Sequence, residues 1–72
     1  MEKHVIKLCE EYLEAAETIR KGELMSVMDL VREIDINYVT LKRIQKNPSS
    51  CSLKTVRKLK IFVDKFNDKQ YE

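Results

Sequence analysis

The sequence predicts an all-α fold: a small, single-domain helix bundle of about four helices. Three observations carry that expectation. Apolar residues recur at three- and four-residue steps along most of the chain, which is the period of a helix and not of a strand. One Gly and one Pro in 72 residues leave few of the breaks that a set of short strands would need. Leu, Ile, Val, Lys and Glu dominate the composition, which suits helices joined by short turns.

The first helix is expected between His4 and Lys21, where Val5, Leu8, Cys9, Tyr12, Ala15, Ala16 and Ile19 collect on one face. Glu10, Glu11, Glu14 and Glu17 fall mostly off that face, and Gly22 is expected to take the left-handed conformation that closes the helix. Ser26 then offers a hydroxyl to an unpaired amide of the next first turn, and Asp29, three residues on, suits the positive end of the dipole. In this second helix Val27, Leu30, Val31 and Ile34 share one side, leaving Asp29 and Glu33 exposed one turn apart.

Asp35-Ile36-Asn37 interrupts the pattern, and Asn37 can cap a third helix that runs to about Lys46, where Asn47 and Pro48 stop it. Leu41 and Ile44 point inward there, while Val39, Lys42, Arg43 and Lys46 point largely outward. Ser49-Ser50-Cys51-Ser52 reads as a polar connection. Ser52 caps a last helix whose buried stripe is expected to include Leu53, Val56, Leu59, Val63 and Phe66, with Phe62 sharing the burial. Asn67 to Glu72 is polar apart from Tyr71 and is expected to be disordered. If the last helix exposed them, Phe62, Phe66 and Tyr71 would form a dimer seam; burial against the first helix is the more economical use.

Several function classes are disfavoured. A chain this short has little room for a catalytic cavity, and its acids and bases form no recognisable nucleophile, metal or phosphate-cradle motif. Cys9 and Cys51 lack metal-ligand spacing and are expected as free thiols, and the single His4 has no partners with which to build a zinc site. No apolar run is long enough to cross a bilayer, and Met1-Glu2-Lys3-His4 leads into a mixed segment, so a cytoplasmic protein is expected. No enzyme activity, cofactor, metal or small-molecule ligand is expected.

The net charge of +2 conceals an asymmetry. Residues 1–24 hold six acids against four bases, residues 25–35 three acids against one base, and residues 36–72 nine bases against three acids. Between Ile36 and Val63 there is no acid, while Lys42, Arg43, Lys46, Lys54, Arg57, Lys58 and Lys60 all fall there. Such clustering attracts polyanions, although most charge runs are simply solvated faces.

Two short helices joined by a tight turn, the second one basic on its outer side, can lay one helix in a DNA groove while the other spans the backbone. Leu30-Val31, the turn Asp35-Ile36-Asn37, the inward Leu41 and Ile44 and the terminal Asn47 keep this register from Val27 to Val63 without a gap. That stretch, with the motif at about 26–47, resembles the lambda-repressor and Cro-like helix-turn-helix family. The family has Leu-Ala, Gly-Val-Ser and a closing Gly at the corresponding places. Here the turn lacks its Gly, and Cys51 replaces a later Pro. The family also places a polar Gln and further polar base readers where this chain has Val27, Tyr38 and Val39.

Within that class, the chain's length and register resemble the small antirepressors of temperate phages. The resemblance implies a protein partner, a CI-type phage repressor held through its own N-terminal helix-turn-helix domain. The residues assigned to that contact are Val27, Met28, Asp29, Glu33, Asp35, Tyr38, Val39, Lys42 and Arg43: aromatic, Met and Arg side chains suit the centre of an interface, and the acids would steer a basic partner. The alternative is a Cro-like operator-binding repressor. It would use Asn37, Tyr38, Val39 and Arg43 on bases and Lys42, Lys46 and Lys54 on phosphates.

Overall fold

The computed structural model describes residues 3–70, and side chains as far as Asn67. It is all-α. The elements run α1 (Lys3–Gly22), α2 (Val27–Ile34), α3 (Tyr38–Lys46), a single 3₁₀ turn (Pro48–Ser50) and α4 (Leu53–Gln70). The two long helices, α1 and α4, pack against each other as the main layer. The short α2 and α3 close over them: α2 meets both α3 and α4, and the 3₁₀ turn ties α3 back to α1.

Periodicity explains the core. α1 contributes Cys9, Ala16 and Ile19, α2 contributes Leu30, Val31 and Ile34, and α3 contributes Leu41 and Ile44. α4 adds Val56, Leu59, Phe62, Val63 and Phe66, with the Phe62 and Phe66 rings tilted against each other at 4.9 Å. Val5, Leu8, Tyr12, Leu13, Met25, Val27 and Ile36 pack half-buried around this cluster. No polar or charged residue is buried among the described residues, so apolar contact alone builds the interior. Each fully covered Leu or Ile stabilises it by about 1.5–3 kcal/mol.

The junctions are set by local hydrogen bonds. Ser26 and Asp29 form a reciprocal cap: the Asp29 amide donates to Ser26 Oγ at 3.1 Å, and the Ser26 amide donates to Asp29 Oδ2 at 3.3 Å. The amide of Val39 donates to Asn37 Oδ1 at 2.8 Å, which starts α3. The amide of Thr55 donates to Ser52 Oγ at 3.2 Å, which starts α4.

Several expectations are corrected. Gly22 stays helical, and the left-handed residue that ends α1 is Leu24, with φ of 56°. The Leu24 amide donates to Lys21 O at 3.3 Å and the Met25 amide to Arg20 O at 2.9 Å, the paired bonds that close a helix around a left-handed residue. A side chain in that region is disfavoured by about 1 kcal/mol or more relative to the ordinary helical region. Asp35, at φ of 68°, closes α2 in the same left-handed region. Asp tolerates it better than Leu because its short polar side chain hydrogen-bonds locally.

Leu53 is not in the buried stripe but 52% exposed. At about 100° per residue it lies roughly 180° around the helix from Phe62, nine positions on, so the two cannot share one face. The connection read as polar carries a fully buried Cys51 beneath its 3₁₀ turn. Asn67 to Gln70, expected as a disordered tail, continue α4, since no Gly or Pro interrupts them; Tyr71 and Glu72 lie outside the described residues. Phe62 and Phe66 are both buried, which leaves them no part in an exposed seam.

Candidate functional site

The outer side of α3 follows from its inner one. Leu41 and Ile44 are 1% and 0% exposed, which fixes the rotation of the helix. That rotation turns Tyr38, Val39, Lys42, Arg43 and Lys46 to solvent. Val39 is 68% exposed and Tyr38 42%. The Lys42 ammonium lies 5.4 Å from the Tyr38 ring centroid, one turn along the helix, so the ring is partly covered by a cation. Met28, on α2, is 50% exposed.

Val27 departs from the expected set. It packs half-buried against the core, so it supports α2 from beneath more than it faces outward. Asn37 also has a prior commitment, because its side-chain oxygen already accepts the Val39 amide and only its amino group remains to reach a base.

The charges sort into two groups. Asp29, Glu33 and Asp35 are exposed as expected, but none stands alone. Asp29 lies 4.0 Å from Arg32, Glu33 3.6 Å from Lys65, and Asp35 3.6 Å from Lys58. Lys58 also donates to the Asp35 carbonyl at 2.8 Å, placing a cation on the left-handed end of α2. Lys60 pairs with Asp64 at 2.6 Å, which holds the lysine above its ordinary pKa. By contrast Arg43, Lys46, Lys54 and Arg57 have no hydrogen bond or ion pair among the described residues. The unbroken basic stretch of the sequence therefore becomes a smaller free cationic set, in which Arg43 and Lys46 stand on α3 and Lys54 and Arg57 on α4.

A second network sits at the α1–α2 turn. Arg20 holds Glu17 through Nε at 2.9 Å and through a second contact from Nη2, and donates from Nη1 to the Met25 carbonyl at 3.0 Å. The guanidinium hydrogen bond lowers the Glu17 pKa against an opposing push from burial, with Lys42 of α3 adding a smaller favourable field. This links the end of α1 to the start of α2 and orients the turn that carries Leu24.

Three exposed apolar residues were not foreseen as exposed from the sequence: Leu24 at 91%, Ile61 at 69% and Leu53. The signal for Ile61 was its phase, one residue off the Phe62 stripe. For Leu24 it was the placing of Gly22 two residues too early to close the helix.

Cys9 and Cys51 are free thiols within the same buried cluster. Burial, reinforced by the neighbouring Cys51, pushes the Cys9 pKa up to about 12. At neutral pH Cys9 is therefore a thiol and not a nucleophile. No group of three or more His, Cys, Asp or Glu among the described residues could hold a metal ion. None of their helices is long and apolar enough to cross a membrane. Shallow surface grooves run along α1, one lined by residues such as Glu11, Glu14 and Ile19 with Asn67 of α4, another by Glu10 and Leu13 with Gln45 of α3 and Pro48.

In comparisons with known proteins, no protein-family model, no curated protein and no solved structure matches this chain.

Proposed function

We propose that this chain is a regulator that works by protein contact. In this reading it is a phage antirepressor, resembling the modulators of repression of temperate lactococcal phages, that acts in the host cytoplasm. It docks its lambda-repressor-like α2–α3 unit onto the N-terminal DNA-binding domain of the phage's own CI-type repressor and so shifts the choice between lysogeny and lytic growth. The observation that carries the reading is the exposure of Tyr38 and Val39 at the start of α3, where a base-reading helix would present polar groups. An aromatic ring and a β-branched side chain beside Lys42 and Arg43 suit the desolvated centre of a protein interface.

The acids fit the same picture with a qualification drawn from their geometry. A repressor's DNA-binding surface is basic, and Asp29, Glu33 and Asp35 are already paired within the chain. Exposed pairs of 3.6–4.0 Å contribute little. Exchanging Arg32, Lys65 or Lys58 for a partner's cation therefore loses little, and the acids remain usable for steering.

A second reading, the Cro-like repressor, is favoured by one observation: Arg43, Lys46 and Lys54 are free to meet phosphates or guanine. Calorimetric titration with the isolated repressor domain, and separately with operator DNA across a salt series, separates the two. Protein contact predicts binding to the domain, weakened at least about tenfold by a folded Tyr38→Ala variant. Tight, operator-specific binding by the chain alone at physiological salt, falling steeply as salt rises, overturns the first reading in favour of the second.

A further inference from the structure

Leu24 is the least economical residue in the described chain. Its backbone sits at φ of 56°, a conformation in which a side chain is disfavoured and glycine is not. Its side chain is 91% exposed, so no burial within the chain offsets that strain. The turn does not need a leucine, since the bonds that close α1 come from the amides of Glu23, Leu24 and Met25, and the hydrophobic contact that accompanies such a turn is supplied by Met25. Nor is the position loose. The Glu23 amide donates to Ile19 O at 2.9 Å before it, and after it Arg20 ties the Met25 carbonyl to Glu17 and the Ser26–Asp29 cap fixes Ser26, so the strained residue is held from both sides.

Strain retained at an exposed, over-determined position points to a use outside the isolated fold. We propose that Leu24 is a pre-positioned anchor of the docking face, inserted into an apolar pocket on the protein partner. This rests on the protein-contact reading above and extends it to the α1–α2 turn. Leu24 precedes the Ser26 cap of α2 by two residues and Met28 by four, so the turn that carries it leads directly into the N-terminal end of α2, where Met28 is also exposed. The occupant of this surface is the basic repressor domain. The acid nearest in sequence, Glu23, is exposed with no ion pair or hydrogen-bonded side chain among the described residues, and Asp29, whose Oδ2 accepts the Ser26 amide, engages its Oδ1 only in the 4.0 Å pairing with Arg32. An apolar anchor flanked by available carboxylates is complementary to a pocket rimmed by Lys or Arg. Because its backbone is already fixed, the leucine loses little freedom on binding.

The test is a three-variant series measured by thermal melting and by titration with the isolated repressor DNA-binding domain. Leu24→Gly removes both strain and side chain, and is expected to melt higher than wild type while binding at least about tenfold more weakly. Leu24→Ala keeps the strained backbone, so it is expected to bind as weakly as Leu24→Gly without the gain in stability. Leu24→Met retains an apolar side chain and is expected to bind within a few-fold of wild type. A merely structural role would couple the two readouts; here they move in opposite directions in Leu24→Gly. Binding by Leu24→Gly equal to wild type, with Tyr38→Ala still weakened, overturns the anchor and leaves the docking reading standing. Failure of wild type itself to bind the domain overturns both. Self-association of wild type that Leu24→Gly abolishes, seen by sedimentation, also overturns the proposal, because the pocket would then belong to a second copy of this chain.

Discussion

Asn37→Ala and Asn37→Ser together separate a structural from a reading role at the start of α3. The Asn37 side chain accepts the Val39 amide at 2.8 Å, one of the first-turn donors that has no partner within the helix. Alanine removes that acceptor, whereas serine replaces it with a hydroxyl of comparable capping strength. Loss of such a cap costs about 1 kcal/mol. Unfolding entropy near the midpoint is about 2.1 cal/mol/K per residue, hence roughly 0.15 kcal/mol/K for a chain of this length, so Asn37→Ala should lower Tm by about 7 °C. Asn37→Ser should melt close to wild type. Differential scanning calorimetry of the three proteins decides this, and equal destabilisation by Ser and Ala would refute the capping argument. The same pair bears on function. Under protein docking Asn37→Ser binds the repressor domain as wild type does; under operator reading it loses the amide that would address adenine and discriminates operators less well.

Leu41→Ala should destabilise by about 2–5 kcal/mol and Val39→Ala by no more than about 0.5 kcal/mol, although the two positions are only two residues apart, on opposite sides of one helix; chemical denaturation midpoints measure the difference. Glu17 is held below its ordinary value of 4.5 by Arg20, so this pair stabilises the fold above that pH and the contribution is lost as the solution is acidified through the lowered pKa. Arg20→Gln should flatten that acid limb in a series of melts against pH. Cys9 has the opposite sign: its thiol is raised from 9.0 to about 12, so stability is intact below pH 9 and declines as the pH rises toward 12. A Cys9→Ala variant should lack that alkaline slope, whatever its overall loss from the cavity.

The helices were legible because each signal was local. Three-to-four periodicity placed Leu30, Val31, Ile34, Leu41 and Ile44 inside, and the caps at Ser26, Asn37 and Ser52 form the bonds their chemistry allows. What the sequence hid depends on phase and on distance. Leu53 looked buried because it precedes Val56 by three, but successive three-residue steps each fall about 60° behind a full turn, and two of them carry it off the stripe. The left-handed closure was assigned to the only glycine, yet the closing position depends on where the last helical bonds form, and these put Leu24 there. The pairing of Lys58 with Asp35 and of Lys65 with Glu33 spans distances in sequence that no periodicity encodes. For the candidate site, the outward turn of Tyr38, Val39, Lys42 and Arg43 could be read from Leu41 and Ile44, the inward side of Val27 from its phase with Leu30 and Val31, and the capping duty of Asn37 from its place before α3.

Those two long-range pairs bear on how the proposed docking face can be both rigid and responsive. Lys58 and Lys65 stand on α4 and hold Asp35 and Glu33 of α2, so they fasten the first helix of the α2–α3 unit to the main layer from its C-terminal end. The capping box and the Arg20 bridge to Met25 fasten it at the N-terminal end. Apolar burial of Leu30, Val31 and Ile34 then carries most of the holding energy, and the ion pairs contribute orientation. A basic partner competing for the Asp35 and Glu33 carboxylates would free Lys65 and leave Lys58 held only by the Asp35 carbonyl, without unseating α2, because the buried side chains stay in place. These lysines would join Lys54 and Arg57 in a single cationic face on α4. Partner binding through the acids of α2 would thus raise the affinity of α4 for phosphates. With the partner's DNA-binding surface occupied by the acids, non-operator DNA should be held more tightly through α4 by the complex than by this chain alone; in an Asp35→Asn, Glu33→Gln variant, which lacks both carboxylate pairings, the partner should add no such gain.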